Sequence, residues 1–168
     1  EIDHWWGHRI NKHGPVLYLS SEGVSDMKFR MKAWEREKKV QINRKGFHLI
    51  RQSINFMDPA HIVKLIQTVR TEIERKFDEP PVAIIIDTVS RVLPGADENL
   101  QKDMTLYVQA CDALRMAFNC AAIGVHHMNA SNGSTRMRGS TVLDGSSDCS
   151  LHIERAEGED IGKMTARK

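Results

Sequence analysis

The sequence predicts an α/β fold with a mostly parallel central sheet flanked by helices. Short apolar runs alternate with longer segments of helical period, Gly, Pro and Asp punctuate the junctions, and one run is apolar throughout. At 168 residues the chain is long enough to enclose one core, so a single domain over residues 1–168 is expected.

Residues 15–20, opening after Gly14, form the first predicted buried strand. A helix is expected from about Ser25, a candidate N-cap, through Met27, Phe29, Arg30, Met31 and Trp34. Residues 47–52 are the second strand. Asp58 and Pro59 then supply a cap and a first-turn proline, and Ile62, Leu65, Ile66, Val69 and Ile73 recur at helical spacing. Pro80 and Pro81 end that helix. The following run, 82–87, suits a central strand covered on both faces.

Beyond a loop at 94–97, a long helix carries Met104, Val108, Cys111, Leu114, Arg115 and Phe118. Residues 121–127 are the next strand. Residues 128–139, rich in Asn, Ser, Gly, Thr and Arg, have the composition of a mobile loop. Residues 150–154 and 163–167 are expected to close the chain as antiparallel strands around a turn at 157–160.

Bulk properties exclude several classes. Charged residues are 27% of the chain and the net charge is only +2, so any nucleic-acid surface must be a local patch. No run approaches the ~20 apolar residues that span a bilayer, and a cytoplasmic location is expected. Cys111, Cys120 and Cys149 are odd in number and scattered, which predicts buried reduced thiols. The eight histidines sit in no Cys-x-x-Cys or His-x-x-x-His frame, so a structural zinc is not expected.

In open α/β sheets, ligands bind at the carboxyl ends of the strands. Three predicted strands end in ionisable residues: Glu22, Asp87, and the pair His126–His127. Asp87 suits a Mg²⁺-bound water, since Mg²⁺ takes one or two carboxylates plus phosphate and water oxygens. Glu22 could accept a proton from an attacking water; it could equally be a carboxylate placed at a helix N-terminus. Of His126 and His127, neighbours on a strand, one faces the site and the other faces away. Arg136 and Arg138 lie in the polar loop, where a planar fork can reach phosphate oxygens of a nucleotide or of DNA, or simply be solvated.

Taken in order, these blocks resemble the RecA-like AAA ATPases related to the plasmid replicative helicase RepA. Gly14-Pro15-Val16-Leu17-Tyr18-Leu19-Ser20-Ser21-Glu22-Gly23 looks like the strand that ends in that family's catalytic glutamate. Ala83-Ile84-Ile85-Ile86-Asp87-Thr88 is similar to its Walker B strand, and Pro94 to Asn99 with Lys102-Asp103-Met104 to its continuation. Val125-His126-His127 resembles the sensor strand and Arg138-Gly139-Ser140 the arginine-bearing loop.

The resemblance implies a RecA-like P-loop core that hydrolyses ATP with Mg²⁺ at the interfaces of a ring, expected to be a hexamer, on single-stranded DNA. Glu22 would polarise water, Asp87 with Thr88 would hold the Mg²⁺ end of the nucleotide, and His126 or His127 would sense the γ-phosphate. Arg138 would reach a neighbour's site, Arg136 and Arg30 would contact phosphate, and the loops after Asp87 and His127 would face the channel. A bacterial, phage or plasmid origin would follow.

The chain departs from that family in one respect: it contains no Gly-x-x-x-x-Gly-Lys-Ser/Thr. The expectation is that this loop lies upstream, that the C-terminal strands are cut short, and that the piece alone binds ATP poorly. A filament-forming recombination ATPase, a RecA-like scaffold without activity, and a metal hydrolase using Asp87, His126 and His127 are the competing readings.

Overall fold

A computed structural model describes residues 4–5, 7–23, 25–43, 46–75, 78–127, 141–159 and 161–167. The sequence-predicted loop at 128–139, with Arg136 and Arg138, lies outside the described residues.

A small antiparallel pair comes first, β1 (His4–Trp5) against β2 (His8–Arg9). Gly7 turns the chain between them at a φ of 81°, a conformation that suits a residue without a Cβ. Nothing in the apolar pattern announced this hairpin, because its strands are too short to show a period.

The main sheet contains β3 (Val16–Ser20), β4 (Phe47–Ile50), β5 (Ala83–Asp87) and β6 (Ala121–Val125). All pairings are parallel, in the order β4-β3-β5-β6. The register aligns Ser20 with Asp87, and Asp87 with Val125. Three strands therefore end at one level. β4 stops two residues earlier than the sequence suggested.

Between strands run α1 (Met27–Lys38), α2 (Pro59–Thr68) and α3 (Gln101–Phe118). Asp58 caps α2 as expected, its carboxylate accepting from the Ala60 N–H at 2.9 Å, with Pro59 in the first turn. The helix runs on as a π-helical turn over Val69–Glu74. At α1 the cap differs from the prediction. Asp26 rather than Ser25 occupies the N-cap position, and it makes no side-chain capping bond; the Ser25 hydroxyl donates to the Asp26 carboxylate instead. A short helix, α4 (Thr141–Ser146), precedes the antiparallel pair β7 (Leu151–Glu154) and β8 (Lys163–Ala166), which the sequence did predict.

The core lies on one face of the sheet. Leu17, Leu19, Ile84 and Ile86 are buried with Leu65 and Val69 from the α2 side and with Met104 and Leu114 of α3. Each such side chain contributes about 1.5–3 kcal/mol by leaving water. Gly124 in β6 brings α3 close: a Cβ there would stand 2.5 Å from the Tyr107 hydroxyl.

The other face corrects the prediction that β5 is covered on both sides. Ala83 and Ile85 are only half-buried, and Ile123 and Val125 beside them are exposed. Alternate strand residues point to opposite faces, so an unbroken apolar run cannot say whether its second face is filled. Among the described residues α1 does not fill it: Met27 is its buried residue, while Phe29 is 73% exposed.

The three cysteines are free, yet they are not all buried. Cys111 and Cys120 are half-buried, and burial pushes the Cys111 thiol up to about 11. Cys149 is exposed, because the segment after α4 packs on no buried layer. Among the described residues no helix is long and apolar enough to cross a membrane.

Candidate functional site

The common strand level assembles the site. Glu22 stands two residues past β3, Asp87 is the last residue of β5, and His126 follows β6 directly. Backbone bonds continue past the strands and hold these ends together: Ser21 N–H donates to Asp87 C=O at 2.8 Å, and Val89 N–H to Val125 C=O at 2.9 Å. The Asp87–Thr88 peptide is cis.

Asp87 is half-buried and lies on the open face of the sheet with Tyr18. The Tyr18 hydroxyl donates to Asp87 Oδ2 at 2.6 Å, which fixes the carboxylate's orientation. Burial, and then this bond, push the Tyr18 phenol up to about 12. Tyr107 is raised well above its usual value by burial.

These shifts carry a prediction. The folded value exceeds the unfolded 10.0 for Tyr18, so its contribution to stability is complete below pH 10 and is lost as pH climbs through about 12. An ultraviolet titration should show the chain's two tyrosines silent where the denatured chain already ionises. Phenolate absorbance rising near pH 10 in the native protein would contradict the Tyr18–Asp87 bond.

Glu22 is partly exposed, and Arg91 holds it. Arg91 Nε donates to Glu22 Oε1 at 2.5 Å. This bond, reinforced by the charges of Arg91 and of His127, holds the Glu22 carboxyl below its usual range. His127 is exposed and within electrostatic reach of Glu22, whereas His126 is half-buried. Arg30 joins the group from α1: its guanidinium stands 3.6 Å from where a Gly23 Cβ would lie.

Thr88 is buried, and its hydroxyl meets Ser90 Oγ at 3.1 Å. It shapes the turn after β5. Glu22, Asp87 and His127 thus stand at or just past the ends of three neighbouring strands, with Arg30 beside Gly23 and Thr88 buried next to Asp87. The sequence reading missed Tyr18 as a partner of Asp87 and Arg91 as a partner of Glu22.

With this geometry in view, a family model described as an AAA domain matches residues 2–133. The chain belongs to the AAA domain family. A search of curated proteins gives no significant match. Membership in the AAA domain family gives the strand-end carboxylates a setting, since this is an ATPase-type, nucleotide-binding family.

The site suits the Mg²⁺ that such a family uses. Asp87 offers one oriented carboxylate, with Tyr18 on one oxygen, and Mg²⁺ is commonly held by one or two carboxylates with phosphate and water completing the shell. Among the described residues no three His, Cys, Asp or Glu side chains converge as an all-protein metal cage. That argues against a metal hydrolase built on Asp87, His126 and His127.

Proposed function

We propose that this AAA domain is a Mg²⁺-dependent ATPase motor of the RecA-like, replicative-helicase type related to RepA, working as a ring on single-stranded DNA. The observation that carries the reading is the placement of Asp87 at the in-register end of β5, with Glu22 and His127 each two residues past the neighbouring parallel strands β3 and β6. Hydrolysis of a γ-phosphate needs an oriented water, charge neutralisation, and a group that registers the phosphate.

In this reading Glu22 orients and deprotonates the water. Asp87 holds Mg²⁺ through water, with Tyr18 fixing its rotamer. His127, rather than His126, meets the γ-phosphate from the Glu22 side. Arg30 supports a phosphate oxygen, and Arg136 and Arg138 serve a neighbouring subunit or the strand. These 168 residues contain no Gly-x-x-x-x-Gly-Lys-Ser/Thr loop of their own.

The test is ATP turnover by the full-length protein with Mg²⁺, with and without an oligo-dT strand, followed by imaging of the assembly. Mg²⁺-dependent hydrolysis stimulated by the strand, on closed rings, is expected. Absence of hydrolysis in a well-folded full-length protein would overturn the ATPase reading. Helical filaments would overturn the ring.

A further inference from the structure

Arg91 sits on a turn anchored by buried neighbours and backbone hydrogen bonds. Ser90–Val92 form one 3-10 turn beginning three residues past the end of β5, and Val89, Val92 and Leu93 in and around it are buried. Arg91 N–H donates to Thr88 C=O at 3.2 Å, and Val92 C=O accepts from Phe56 N–H at 2.8 Å. The Arg91 side chain itself is 62% exposed, and that of its partner Glu22 is 39% exposed.

Two physical consequences follow. An exposed ion pair is weak and exchanges readily for another anion. A carboxylate engaged by a guanidinium is also a poorer proton acceptor than a free one, because the pairing favours its charged form. The residue proposed to activate water is therefore held by an arginine that water and solutes can reach. A phosphodiester oxygen is a strong competitor for such an arginine, since guanidinium matches phosphate geometry.

We propose that Arg91 is a contact for the phosphodiester backbone of a single strand, and that its transfer from Glu22 to that backbone frees the carboxylate. Arg91 is then a positioning residue, acting on the chemistry through Glu22. Its place favours a strand over the bound nucleotide: it projects from the exposed rim four residues beyond the half-buried Asp87. The inference rests on the ATPase reading given above.

The exchange makes binding and the pair mutually exclusive, so the test is a double-mutant cycle on the full-length protein, read by anisotropy of a labelled oligo-dT. Glu22→Gln should tighten oligo-dT binding by up to about fivefold, the factor an exposed pair can withhold. In an Arg91→Ala background the same change should have no effect. Arg91→Ala should also flatten the salt dependence by about 0.7 in slope, the loss of one single-strand phosphate contact, and Arg91→Lys should restore part of it.

In turnover assays Arg91→Ala should raise hydrolysis without DNA by up to about fivefold and remove most of the stimulation by oligo-dT. Equal tightening by Glu22→Gln with and without Arg91 would overturn the exchange. So would coupling seen with Mg–ADP in place of oligo-dT, which would assign Arg91 to the nucleotide. If the wild type hydrolyses no ATP, the ATPase reading fails while the binding cycle still judges the exchange. If it hydrolyses ATP yet binds no oligo-dT, the exchange falls while the ATPase reading stands.

Discussion

Glu22→Gln is expected to lower ATP turnover by about 10²–10⁴-fold, the range removed with a positioned general base. The amide nearly matches the carboxylate in shape but cannot take a proton from water. It also releases Arg91, whose partner becomes neutral. The side chain is partly exposed and supports no buried layer, so thermal stability should hardly change. Mg–ATP binding should persist, because Asp87 and its Tyr18 bond are untouched. Rates measured at saturating ATP separate this from Asp87→Asn, which should weaken Mg²⁺ dependence first. A variant that turns over like the wild type would remove Glu22 from the chemistry.

The largest stability effect is expected at Phe56. Its ring is 2% exposed and stacks on Tyr107 with centroids 5.8 Å apart, and its N–H ties down Val92. Phe56→Ala should cost about 3–5 kcal/mol through lost transfer energy and the cavity left behind. For a domain of this size that is a fall of roughly 6–20 °C in Tm. The backbone N–H that ties Val92 is kept in this variant, so the turn that carries Arg91 should hold its place at temperatures where the protein remains folded. Calorimetry checks the first effect. A shift of only a degree or two would show that the core closes over the gap.

The strands were legible in the sequence for simple reasons, although β4 and β6 each stop two residues before the predicted ends. The runs at 16–20, 83–87 and 121–125 are apolar and bounded by turn residues, and Asp58–Pro59 announces a helix start by local chemistry alone. Strand order was not legible: no local signal places β3 between β4 and β5. Both side-chain partnerships of the site escaped for the same cause. Tyr18 and Asp87, like Glu22 and Arg91, are 69 residues apart in sequence and meet only because β3 and β5 pair. Which histidine comes within electrostatic reach of Glu22 also needed coordinates, since the end of a strand can rotate either ring inward. The exposure of Phe29, Ile123 and Cys149 was hidden because an apolar side chain gives no sign of whether a partner covers it.

The shared end-level of β3, β5 and β6 makes strand length a ruler for the chemistry. Removing a single residue inside any of them would draw its terminal group back by about 3.3 Å and turn it to the opposite face. Lengthening the largely exposed connector at 94–100 would move none of the three ends. Length variation in proteins built on this plan should therefore collect in such connectors and spare the three strands, even where the identities of their apolar residues drift.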